Sequence, residues 1–133
     1  KLCLHKEGYA KWTAKYEDGN RIETAYYDVD GKLCLCKDGF AKLISKYEDG
    51  NPIEEAFYGV DDEPCIIKDG FAKWTAKYKD GNLIEEAYYG VDDESCLHIN
   101  GYAKITVQYD DRNNRIEEAF YGVDGKLCWC IEG

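Results

Sequence analysis

Gly8, Gly39, Gly70 and Gly101 stand 31 residues apart, and each is followed by Tyr or Phe, then Ala, then Lys. A chain that repeats at such a period is constrained more by this feature than by any local propensity. One unit cannot bury its own apolar face, so successive units must pack on one another. The unit from Gly8 reads GYAKWTAKYEDGNRIETAYYDVDGKLCLCKD, and the unit from Gly70 matches it at 20 of 31 positions. We divide the 133 residues as one array: 1–7 as the tail of a preceding unit, then units 8–38, 39–69, 70–100 and 101–132, with 133 opening a following unit. The last unit is one residue longer, with Asp110-Asp111-Arg112-Asn113-Asn114 where the first has Glu17-Asp18-Gly19-Asn20. An insertion confined to a turn is expected where strands must keep register. Residues 1–8 (KLCLHKEG) align with 126–133 (KLCWCIEG), and Met is absent throughout. These features lead us to expect a window on a longer array, or a protomer that joins end to end with its neighbours.

Within a unit, three short runs alternate with three turn signals. Tyr9 to Tyr16 puts Ala10, Trp12, Ala14 and Tyr16 on one side and Tyr9, Lys11, Thr13 and Lys15 on the other. Asp18-Gly19-Asn20 is a strong turn signal. Ile22 to Tyr27 is the second run, Asp28-Val29-Asp30-Gly31 the second turn, and Lys32 to Cys36 the third run. A helix at Ile22 to Tyr27 would be too short to hold, whereas an aromatic content of 14% suits strands. The expected fold is therefore all-β, a solenoid-like array of stacked antiparallel hairpins with three short strands per unit.

A parallel β-solenoid is the alternative. It would stack Lys11 on Lys42, Lys73 and Lys104, and Glu23 on Glu54, Glu85 and Glu117, each about 4.8 Å apart. Like charges so placed destabilise a sheet. A hairpin with a three-residue Asp18-Gly19-Asn20 loop instead sets Lys15 opposite Glu23, Tyr16 opposite Ile22 and Trp12 opposite Tyr26. Tyr26 and Tyr27 are adjacent and must point to opposite faces, so either the sheet curls around a core or one aromatic row is exposed.

At Tyr16-Glu17-Asp18-Gly19-Asn20 and Tyr27-Asp28-Val29-Asp30-Gly31-Lys32 the chain resembles the YD-type tandem repeats of large bacterial proteins. It is also similar to the aromatic–glycine hairpin repeats that bind bacterial cell-wall or glucan polymers. The resemblance implies a bacterial hairpin array, and its second branch implies a polymeric glycan as ligand. The 31-residue period and the recurring Cys depart from the better-known versions of both groups.

Cys3, Cys34, Cys65, Cys96 and Cys128 occupy one position of the unit, and His5, Cys36, Ile67, His98 and Cys130 follow two residues later. The pairs Cys3/His5, Cys34/Cys36, Cys96/His98 and Cys128/Cys130 each put two soft ligands on one side of an extended run, so a metal site would need two such pairs to converge. The competing readings are a small buried hydrophobe and disulfides between units. Seven cysteines cannot all pair internally. Asp28-Val29-Asp30-Gly31 has calcium-ligand chemistry but lacks the spacing and the terminal Glu of a calcium loop, and Asp and Gly are also what turns select. No cofactor is indicated.

The candidate binding surface is aromatic. Tyr9, Phe40, Phe71 and Tyr102 form one row; Tyr27, Tyr58, Tyr89 and Tyr121 form another. Rings exposed at a fixed spacing could stack on a repetitive glycan, whereas rings turned inward would fill the core between units. Catalysis has little support, because Cys–His and Glu–Glu neighbours recur as copies rather than forming one unique constellation. The expected function is non-enzymatic: a segment of a rod, stalk or fibre, with self or adjoining units as partner. The alternative is a module binding a glycan or an extended peptide. A net charge of −10 argues against nucleic acid, and no apolar run reaches the ~18–20 residues of a membrane-spanning helix. The surface-protein reading places the chain outside the cell.

Overall fold

In the computed structural model, residues 8–130 are described. Their secondary structure is all-β: β1 (Lys11–Glu17), β2 (Asn20–Tyr27), β3 (Lys42–Glu48), β4 (Asn51–Tyr58), β5 (Lys73–Lys79), β6 (Asn82–Tyr89), β7 (Lys104–Tyr109) and β8 (Arg115–Tyr121). They form one antiparallel sheet in the order of the chain, and the sheet does not close on itself. The hairpins are therefore joined edge to edge, and every strand pairing among the described residues is antiparallel.

Each hairpin turns on chemistry written in the repeat. Asp18 and Gly19 both have positive φ, 51° and 82°, the two-residue turn whose twist matches that of the flanking strands. The loop is thus two residues rather than three, and Asn20 pairs with Glu17. Lys15 lies opposite Glu23 and Trp12 opposite Tyr26, as expected, but Tyr16 lies opposite Arg21. Ile22 is the extra residue of a β-bulge, which absorbs the shorter loop and restores the register beyond it. In the last hairpin the Asp110 Oδ1 accepts the Arg112 and Asn114 N–H groups, both at 2.9 Å. The inserted residue is taken up there, and Gln108 still meets Glu117.

The third run of each unit is not a strand, which corrects the three-strand expectation. Its pairing reduces to the isolated bridges Tyr27–Leu33, Tyr58–Pro64, Tyr89–Ser95 and Tyr121–Leu127. Two features prevent extension. The outer edge of β2 is already taken by β3, through Glu23–Ile44 to Ala25–Lys42. Gly39, at φ 94°, then reverses the chain, and the Cys36 N–H closes on the Phe40 carbonyl at 2.8 Å.

These returning segments make the core. Successive residues of a strand face opposite ways, so Trp12, Ala14, Thr24 and Tyr26 share a face with Leu43, Ser45, Glu55 and Phe57. Cys36, Phe40, Phe57, Ile67, Phe71 and Tyr88 bury one another, with Tyr26, Leu43, Trp74 and Tyr102 packed against them. The fold is one sheet with one face covered by its own connections. Adjacent units are tied further by the Lys68 N–H to Asp38 carbonyl bond at 3.1 Å and the Ile99 N–H to Asp69 carbonyl bond at 2.9 Å.

Candidate functional site

The two aromatic rows take opposite roles. Phe40 and Phe71 are buried at 7% and 5% exposure, and their row interleaves with Tyr26, Phe57, Tyr88 and Phe120. The rings run without a break from Tyr9 through Tyr26, Phe40, Phe57, Phe71, Tyr88 and Tyr102 to Phe120, with centroids 4.8 to 5.9 Å apart and mostly tilted or edge-on. Such geometry suits ring quadrupoles and adds to the area they bury. A sugar has no access to rings so enclosed. The glycan-stacking expectation is therefore corrected for Phe40 and Phe71; Tyr9 and Tyr102 are half-buried members of the same ladder.

Tyr27, Tyr58, Tyr89 and Tyr121 lie on the uncovered face and are half-buried. Each has a lysine from the neighbouring strand over its ring: Lys11, Lys42, Lys73 and Lys104, with Nζ 5.0 to 5.5 Å from the centroid. Lys42 is also paired with Asp62, and Lys73 with Asp93 at 2.6 Å. The hydrogen bond to Asp62 raises the Lys42 pKa, as Asp93 does that of Lys73. One face of each ring thus already carries a cation.

The cysteines are placed by packing. Cys65, Cys96 and Cys128 each point Sγ at the carbonyl of the glycine that opens their unit, Gly39, Gly70 and Gly101, at 3.6 Å. Burial pushes the Cys65 and Cys96 thiols up, which lowers the thiolate fraction that nucleophilic or metal chemistry requires. Cys34 is disulfide-bonded, whereas Cys36, Cys65, Cys96, Cys128 and Cys130 are free. Cys3 and His5 lie outside the described residues. His98, at the position of Cys36 and Ile67, stacks on Phe71 and Tyr102 at 5.7 and 5.4 Å, and its Nδ1 accepts the Asn100 N–H at 3.0 Å. Among the described residues, no three His, Cys, Asp or Glu side chains converge on a metal position. The turn aspartates serve the backbone: Asp28 Oδ1 accepts the Asp30 and Lys32 N–H groups at 2.9 and 3.1 Å.

A cleft of about 290 Å³ crosses the covered face beside Phe40, Glu55, Asp69 and Trp74. Its central carboxylate is already engaged, since Glu55 accepts the Trp74 indole N–H at 2.9 Å and the Ser45 hydroxyl at 3.2 Å.

Two further surfaces stand out, and the first escaped the sequence reading. The first is a line of exposed apolar residues on the returning segments: Leu35, Ile66, Leu97 and Trp129, the last 91% exposed. Its signal was present, because the residue between the two Cys/His positions is apolar in every unit. The second is the pair of outer sheet edges, β1 and β8, each hydrogen-bonded to a strand on one side only among the described residues. Core positions are less covered there: Phe120 is half-buried where Phe57 and Tyr88 are buried. No protein-family model, curated protein or solved structure matches the chain.

Proposed function

We propose that this chain is a structural, non-enzymatic array, a segment of a rod, stalk or fibre whose sheet is continued at its edges by adjoining units. One observation carries the reading. The three junctions between units share one register, Glu23–Ile44, Glu54–Thr75 and Glu85–Thr106 at the same unit positions. Each unit therefore presents on one edge the complement of what it receives on the other, and adding units repeats one favourable interface. The test is urea denaturation of chains with three, four, five and six units. The midpoint is expected to rise with unit number while unfolding stays cooperative. A midpoint independent of length would sink the reading.

A second reading keeps a glycan or extended peptide on the Tyr27, Tyr58, Tyr89 and Tyr121 row, whose half-buried rings recur at one position per unit on the uncovered face. The lysines leave such a ligand only the opposite ring faces or edges. Chemical-shift titration with glucan and peptidoglycan fragments, comparing the native chain with Tyr58→Ala/Tyr89→Ala, separates the two. Shifts confined to this row and lost in the variant would favour binding.

A further inference from the structure

We propose that the β8 edge binds the β1 edge of a second copy of this chain, head to tail, in the register of the internal junctions. The inference rests on the array reading and names its partner and contacts. The internal register assigns Glu117 opposite Thr13, Glu118 opposite Trp12 and Ala119 opposite Lys11 of the second copy, as Glu54, Glu55 and Ala56 meet Thr75, Trp74 and Lys73.

Three observations converge on this partner. The backbone is aligned for it. Tyr26, Phe57 and Tyr88 donate their N–H groups across the junctions to the Ala41, Ala72 and Ala103 carbonyls at 2.9 Å. Phe120 and Ala10 occupy the corresponding positions on the two free edges. The aromatic ladder also continues. Rings cross the junctions as Tyr26–Phe40, Phe57–Phe71 and Tyr88–Tyr102, at 5.7 to 5.9 Å, and Phe120 with Tyr9 is the next such pair. Finally, charge is complementary. On the open face Glu54 sits opposite Thr75, which Lys73 and Lys77 flank two residues away on the same strand. Glu117 would sit opposite Thr13 between Lys11 and Lys15 in the same way. A net charge of −10 opposes general self-adhesion, so this local match is what selects one edge for the other.

The contact is heterologous, so copies add head to tail, into a ring where the rotation per copy closes and into a filament where it does not.

The test uses two variants of this 133-residue chain. Backbone N–H groups alternate sides along a strand, so Glu118 shares the outward direction of Phe120, and Trp12 shares that of Leu43 in the next unit. Proline is tolerated at such edge positions and removes the pairing donor. Glu118→Pro blocks the β8 edge alone, and Trp12→Pro blocks the β1 edge alone. Sedimentation of the native chain up to about 1 mM should show growing oligomers. Each variant alone should be monomeric with an unchanged far-ultraviolet spectrum, and their mixture should stop at the 1:1 dimer with association at least ~10-fold stronger than either alone. Persistent self-association of Glu118→Pro would mean β1 meets β1, and of Trp12→Pro that β8 meets β8; either overturns the proposal. So does a native chain monomeric at 1 mM, and in that case a midpoint rising with unit number would leave the array reading standing. If Trp12→Pro does not fold, charge reversal replaces it. Glu117→Lys should weaken association and the double Lys11→Glu/Glu117→Lys should restore it; no rescue counts against the register.

Discussion

At the scale of single residues, the face decides the role. Phe57 and Tyr58 are neighbours in β4, yet Phe57 is 6% exposed within the ring ladder and Tyr58 is half-buried under Lys42. Phe57→Ala is expected to cost about 3–5 kcal/mol through lost transfer and a cavity. Tyr58→Ala should cost roughly 1 kcal/mol, because part of its ring is already wet. Urea titration of both variants checks this; equal losses would mean that both faces are covered. Gly70 makes a similar contrast with Gly81. Both have positive φ, 96° and 80°, but an added Cβ at Gly70 would stand 3.3 Å from the Leu97 carbonyl, whereas at Gly81 it meets nothing within 4 Å. Gly81→Ala should lose about 1–2 kcal/mol from backbone strain alone, and Gly70→Ala should lose measurably more, because the returning segment of its own unit must also shift. The alternation at Tyr26–Tyr27 was legible from sequence. Which of the two faces would be covered was not, because the cover comes from a segment 7 to 14 residues further on whose path depends on Gly39.

At the scale of elements, hairpins and returning segments are held by different forces. The hairpins carry cross-strand ion pairs, Lys15–Glu23, Lys46–Glu54 and Lys77–Glu85, all at 3.4 Å, each worth a fraction of a kcal/mol at an exposed lysine. Turn and strand are joined more closely where Lys42 meets both Asp62 and the Tyr58 ring. The Lys42 pKa is raised, so its contribution to stability is fully present below the ordinary lysine value near 10.5 and is lost as pH climbs through the raised one. Burial, and then donation to Glu86 at 2.6 Å, raises the Tyr88 phenol in the same sense. The urea midpoint should therefore hold to about pH 10 and fall above it. Asp62→Asn should flatten the lysine part of that fall, and Tyr88→Phe the tyrosine part; a midpoint unchanged between pH 9 and 12 would contradict both. The hairpin register was nearly legible, since Lys15–Glu23 and Trp12–Tyr26 follow from charge and ring matching. The one-residue error at Tyr16 arose because Asp18-Gly19 is a complete turn by itself, which forces the bulge at Ile22.

At the scale of the whole molecule, stability is distributed by position in the sheet. β3 to β6 have a unit on either side, whereas β1 and β8 have one free edge. Protection from hydrogen exchange reports local opening. Amides of β4 and β5 are expected to exchange slowest at low concentration, and those of Trp12, Glu118 and Phe120 fastest among strand residues. Raising the concentration should selectively protect the last three. Uniform protection at all concentrations would show that the edges are covered by some other means. The strands are also staggered. Tyr27 falls opposite position 40 by the register of β2 with β3, two residues before Lys42, so the sheet shifts by about one residue per strand. In closed sheets that ratio accompanies a strand tilt of about 36°, and here it slants the uncovered tyrosine row across the sheet.

By itself the sequence determined the unit length, the β class, the antiparallel sense and the positions of the turns. These are local or periodic properties: a 31-residue repeat, alternation of side chains, Asp-Gly pairs that accept positive φ, and charges that clash in one pairing and match in the other. The tertiary structure alone decided that the third run folds over the sheet instead of joining it, and that one aromatic row becomes a core ladder while the other stays in contact with water. Each of these depends on competition between segments for the same backbone edge or the same apolar face. That competition is settled only when all the units are in place.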